Sequence, residues 1–105
     1  MAQFDVHKNI GKQRVAIPFV IVVQSSLYDG YRRRVVVPLV RHSTLDRTSA
    51  FLDTPLNPAF TVKGIKVVLH PLEIVSVATE QLGEKLKTLE QEGDRIIAAL
   101  DELLT

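Results

Sequence analysis

Closely spaced apolar runs rich in β-branched residues constrain the fold of this 105-residue chain most strongly. Alternation around Phe4 and Val6 predicts a half-buried first strand at residues 2–7. Nearly continuous runs at 19–23 and 35–40 predict two more strands, and Pro38 places the second of them at an edge or a bulge. Three further runs predict a hairpin around Gly64 and one more strand, at residues 59–63, 65–69 and 72–78. Parallel βαβ units are excluded because no helix lies between the runs to make the crossovers.

From about Glu80 the apolar spacing becomes helical. It predicts one helix at residues 80–105, with Thr79 or Ser76 as the N-cap. Its apolar stripe is Leu82, Leu86, Leu89, Ile96, Ile97, Leu100, Leu103 and Leu104, and Gly93 replaces one member of the repeat. The stripe must pack against the protein's own sheet, against a second copy of the chain, or against another protein.

These elements predict a single domain of the α+β class, mainly β. We expect a small, partly closed antiparallel barrel at residues 1–79 and a C-terminal helix at 80–105. Hydrophobic residues are 46% of the chain and aromatic residues only 6%, so the core must be aliphatic. The absence of cysteine, of a membrane-length apolar span and of a signal-peptide pattern predicts a cytoplasmic protein.

No motif for catalysis or metal binding is visible. His7, His42 and His70 lack the spacing of metal ligands, and we expect them at the surface or at strand edges. No nucleophile-elbow glycines and no glycine-rich phosphate loop occur. The sequence therefore predicts a protein without enzymatic activity and without a cofactor.

Charge is distributed unevenly along the chain. Residues 1–79 carry ten Lys and Arg against five Asp and Glu, and residues 80–105 carry three against seven. Arg32, Arg33 and Arg34, beside Tyr28 and Tyr31, form the best candidate for a nucleic-acid site. Successive side chains of a strand alternate between faces, so at least one arginine must point away from the others. A solvated patch is favoured over a nucleic-acid site, and no direct nucleic-acid partner is expected.

Four segments resemble the CcdB-type toxins of bacterial toxin–antitoxin systems. They are residues 3–9 (QFDVHKN), 22–29 (VVQSSLYD), 34–39 (RVVVPL) and 96–101 (IIAALD). The resemblance implies a homodimer of SH3-like barrels, a fold shared with MazF-type ribonuclease toxins. It also implies a non-enzymatic mechanism, in which the toxin binds the A subunit of DNA gyrase and traps the gyrase–DNA complex. A CcdA-like antitoxin with a disordered C-terminal segment prevents this.

In this family the end of the C-terminal helix engages gyrase. The resemblance therefore assigns gyrase binding to Leu100, Asp101, Leu103, Leu104 and Thr105. Family chains commonly end in Gly-Ile, which the sequence lacks after Thr105, so we expect gyrase to be bound weakly and an added Gly-Ile to strengthen binding at least about tenfold. Two alternatives stay open. One is a MazF-like endoribonuclease that uses Arg32, Arg33 or Arg34, and the other is a non-toxic dimer that titrates antitoxin.

Overall fold

Seven strands form one antiparallel sheet in residues 2–45 and 54–104, the part of the chain that the computed structural model describes. A helix, α1 (Gly93–Leu104), follows the last strand. The strands are β1 (Asp5–Asn9), β2 (Phe19–Val22), β3 (Arg33–Arg41), β4 (Ala59–Val62), β5 (Ile65–Leu69), β6 (Val75–Ala78) and β7 (Leu82–Thr88). The predicted fold class, mainly β with a C-terminal helix, is confirmed.

The long strand β3 organises the sheet, whose order is β4-β5-β3-β2-β1-β7. One side of β3 pairs with β2, and the other pairs first with β6 and then with β5. Pro38 lies where the pairing with β6 has ended and the pairing with β5 begins, so no partner strand requires its missing N–H there. Its carbonyl accepts a hydrogen bond from the His70 amide, 3.1 Å away. Pro38 therefore lies in the central strand, and the prediction of an edge or bulge position is wrong.

The hairpin of β4 and β5 follows the prediction from sequence. Val62 pairs with Ile65, so the loop consists of Lys63 and Gly64 alone. Both loop residues have positive φ, 53° and 76°. Positive φ at both positions is the signature of the type I′ turn, whose twist matches that of the two strands.

The predicted helix at residues 80–105 is wrong in its first half, because residues 82–88 form strand β7 beside β1. Leu82 and Leu86 are four residues apart, a spacing that suits one face of a strand as well as one face of a helix. Gly83 favours the strand, because it allows this segment to lie close to β1. A Cβ at Gly83 would lie 2.5 Å from the Lys8 carbonyl oxygen, so glycine permits the two strands to approach. The helix begins at Gly93 instead.

The core lies between the concave face of the sheet and α1. Ile96 and Ala99 of the helix are fully buried there. The strand and loop residues that pack with them are Phe4, Val6, Phe19, Ile21, Val23, Val37, Leu39, Phe60, Val62, Val67, Leu69 and Leu89. Burial of each such side chain contributes about 1.5–3 kcal/mol, so the sheet itself holds one side of the helix firmly.

Strands β4 and β7 end the sheet and do not pair with each other within the described ranges, so the barrel is open along one side. We call the gap between these two strands the seam. None of the helices found in residues 2–45 and 54–104 has the length and apolar character needed to cross a membrane.

Candidate functional site

The sheet covers only part of the apolar surface of α1. Leu100 packs at the margin of the core, and Leu103 is half-buried. Leu104 is 80% exposed and Ile97 is 40% exposed. The helix thus enters the core through Ile96 and Ala99 and presents a second apolar edge outward. Of the other predicted site residues, Asp101 is exposed and Thr105 lies outside the described residues.

A short turn beside α1 extends this apolar edge. The 3-10 turn Pro71–Glu73 contacts the helix, and its Leu72 is 58% exposed. Ile74, which follows the turn, is also exposed. We call Leu72, Ile74, Ile97 and Leu104 the helix–turn face. Exposed apolar side chains on adjoining segments mark interaction surfaces more often than single ones do.

Sequence reasoning missed the turn half of this face, because it assigned residues 72–78 to a strand. The strand begins only at Val75. Pro71 occupies the first position of the 3-10 turn, where its fixed φ is favourable and its missing N–H costs nothing. That proline was the available signal that a turn would separate β5 from β6.

The C-terminal end of α1 also carries negative charge that does not stabilise the helix. Asp101 and Glu102 lie in the last turn, and α1 has no basic residue there. The C-terminal end of a helix bears partial negative charge, so acidic residues at this end are unfavourable by about 0.3–1 kcal/mol each. The end of α1 is therefore both apolar and acidic.

The three consecutive arginines do not converge on a common ligand. Arg34 is buried, and its guanidinium donates to the carbonyls of Asp29 (2.5 Å), Arg33 (2.9 Å) and Tyr31. Arg33 donates to the hydroxyl and the carbonyl of Ser76, at 2.8 and 2.6 Å. Arg32 lies 3.6 Å from the Glu80 carboxylate. As the alternation of a strand predicts, the three side chains separate, and each has an intramolecular partner.

The loop that Arg34 supports projects an apolar tip. Leu27 is 88% exposed, and the rings of Tyr28 and Tyr31 contact edge to face with centroids 5.9 Å apart. The Gln24 side chain donates to the Tyr28 carbonyl at 3.0 Å and so fixes the loop from its other side. The tip is a second candidate contact surface. The sequence drew attention to both tyrosines and missed Leu27.

His7 is buried, so the expectation of a surface or edge position is wrong for this histidine. Strand β1 lies between β2 and β7, which removes His7 from solvent. Its Nδ1 lies 3.0 Å from the Gly83 carbonyl oxygen and links β1 to β7. No group of three or more His, Asp or Glu side chains suited to a metal ion occurs in the described part of the chain.

The family model described as CcdB protein matches residues 3–105. The matched range includes the whole sheet, the helix–turn face and the apolar tip. No curated protein matches the chain.

Proposed function

Because the chain belongs to the CcdB family, we propose that it is the toxin of a type II toxin–antitoxin module and acts on DNA gyrase. In this proposal a cytoplasmic homodimer binds the A subunit of gyrase and traps the gyrase–DNA complex. A CcdA-like antitoxin neutralises it. The toxin acts by binding and not by catalysis.

The exposed end of α1 is the observation that carries the proposal. Leu104 is 80% exposed, while Ile96 and Ala99, on the same helix, are fully buried. The core therefore holds the helix in place, and little conformational entropy is lost when a partner covers Leu104. A buried apolar anchor at an interface contributes about 2 kcal/mol or more when it is a hot spot.

The rest of the helix–turn face supports the homodimer. Leu72, Ile74 and Ile97 are apolar and exposed on adjoining segments. A twofold axis through these three residues would cover them in both copies at once. The dimer would then present two helix ends to gyrase.

A titration against the gyrase A subunit tests the proposal. We expect Leu104→Glu to weaken binding at least about tenfold, a loss of about 1.4 kcal/mol. Val15→Glu is the matched control, because Val15 is 73% exposed and lies outside the helix–turn face. The control should bind as the unchanged protein does. Equal affinities for all three would place the recognition surface elsewhere.

A DNA-cleavage assay with the same variants distinguishes a toxin from a dimer that only titrates antitoxin. A toxin must increase the amount of cleaved DNA that gyrase retains, and Leu104→Glu must reduce this effect together with the affinity. A protein that binds antitoxin and leaves gyrase cleavage unchanged would support the alternative.

The endoribonuclease alternative receives no support from the arginine geometry, since Arg32, Arg33 and Arg34 all have intramolecular partners. No acid–base pair was evident beside them in the sequence. We expect a long RNA of mixed sequence to remain intact with the purified protein. Cleavage that disappears in Arg33→Ala would contradict this expectation.

A further inference from the structure

A cavity of about 320 Å³, open to solvent, lies at the seam between β4 and β7. The buried side chains of Phe60 and Leu89 line it, together with residues of β4, β5, β7 and the start of α1. The cavity is separate from the helix–turn face, since the two share no residue. The inference that follows is independent of the proposed toxin function.

Positive charge is in excess at this cavity. Lys66, Lys87 and Arg95 line it from three different elements, and Glu92 is its one acidic lining residue. Glu92 is paired with Arg95 at 3.0 Å. Within residues 2–45 and 54–104, neither lysine forms an ion pair. Two positive charges from opposite sides of the seam thus have no partner in this part of the protein.

The outer edge of β4 offers main-chain groups at the same place. In a two-residue hairpin, Val62 and Ile65 exchange hydrogen bonds, and the next pair, Thr61 and Lys66, does not. The N–H and C=O of Thr61 therefore point away from β5. Ala59, two residues earlier, has the same orientation, and its carbonyl accepts a hydrogen bond from Arg95 Nη2 at 3.3 Å across the seam. Thr61 itself is exposed.

We propose that the seam binds an acidic peptide segment in extended conformation. The segment pairs with the Thr61 main chain as an added edge strand and places carboxylates beside Lys66 and Lys87. Strand addition of this kind derives affinity from main-chain hydrogen bonds and selectivity from flanking side chains. Lysines at a sheet edge can also have the opposite effect and prevent another strand from pairing there. The experiment below distinguishes peptide binding from such edge protection.

The probe is a short capped peptide of alternating glutamate and threonine, and the same peptide with lysine in place of glutamate is its counterpart. Binding is followed by amide NMR shifts, and strand addition by slower hydrogen exchange of the Thr61 amide. We expect saturable binding of the acidic peptide alone, with slower exchange at Thr61. The double variant Lys66→Gln, Lys87→Gln should weaken binding at least about fivefold, as expected when two partly exposed ion pairs are lost.

The double variant Lys12→Gln, Lys63→Gln is the matched control, because it removes the same charge from exposed positions outside the cavity. It should bind the peptide as the unchanged protein does. Equal weakening in both double variants would show diffuse charge attraction and overturn the proposal. Binding without slower Thr61 exchange would exclude the added strand, and absence of saturable binding would assign the lysines to edge protection.

Discussion

At the scale of single residues, Phe4 links the start of the sheet to the start of the helix. Its φ is 71°, in the left-handed region, where a bulky residue costs about 1–3 kcal/mol. Main-chain hydrogen bonds hold it there, since its N–H donates to the Val22 carbonyl (2.6 Å) and its carbonyl accepts from the Leu89 N–H (2.9 Å). In this conformation the ring packs on Gly93. Gly93 is thus approached closely by a side chain of the same subunit.

Gly93→Ala should therefore destabilise the protein although alanine favours helices. The new Cβ would lie 2.7 Å from the Phe4 ring, and overpacking of a core costs about 1–3 kcal/mol. The measurement is the free energy of unfolding in urea. Gly30→Ala is the control, because no atom lies within 4 Å of a Cβ at that position. A loss no larger than that of the control would contradict the packing argument.

Arg34 should contribute to stability and not to ligand binding. Arg34→Met leaves the carbonyls of Asp29, Tyr31 and Arg33 without this donor, at a cost of about 2–3 kcal/mol. Arg34→Lys should recover little, since one ammonium cannot replace a planar fork of donors. Urea unfolding again provides the measurement. Arg32→Met, which removes a solvent-exposed ion pair, should change stability by less than about 1 kcal/mol, and a similar loss in both would refute the assignment.

At the scale of elements, β7 depends on one glycine. Gly83→Ala would bring a Cβ to 2.5 Å from the Lys8 carbonyl oxygen, a main-chain atom that cannot rotate away. We expect β7 to separate locally from β1, with faster amide hydrogen exchange in both strands and unchanged exchange in the β4–β5 hairpin. Gly11→Ala, whose Cβ would meet only the end of the Asn9 side chain at 3.2 Å, should leave β7 protected. Uniformly faster exchange in all strands would mean that β7 is not an independent unit.

At the scale of the whole molecule, Leu72, Ile74 and Ile97 of the helix–turn face should determine the oligomeric state. Light scattering should give the mass of a dimer at micromolar concentrations, and Leu72→Glu should give a monomer that still unfolds cooperatively. A charge buried without a partner in both copies makes the interface unfavourable. Val15→Glu, which lies outside this face, should remain a dimer. A monomeric mass for the unchanged protein would eliminate the dimer from the proposed function.

Much of this molecule is encoded locally. The β-branched runs of β2 and β3, and the apolar runs on either side of Gly64, predict strands and a hairpin because sterics and turn geometry act between near neighbours in the chain. Four short segments, at 3–9, 22–29, 34–39 and 96–101, carried the family resemblance, and the family match confirms it. The helix near the C-terminal end was also predicted, but its predicted start at residue 80 was wrong, because α1 begins at Gly93.

Contacts between distant segments decided the rest. A four-residue leucine spacing fits a helix or a strand, and only the approach of β1 to Gly83 makes residues 82–88 a strand. Likewise, Arg34 becomes a structural residue because the loop at Asp29 folds back onto it, and Leu72 becomes a surface residue because Pro71 turns the chain beside α1. The sequence alone determined that six apolar segments form strands and that a helix follows them near the C-terminal end, since those depend on local periodicity. The tertiary structure alone decided which apolar residues remain uncovered, because burial depends on what the rest of the chain brings against them.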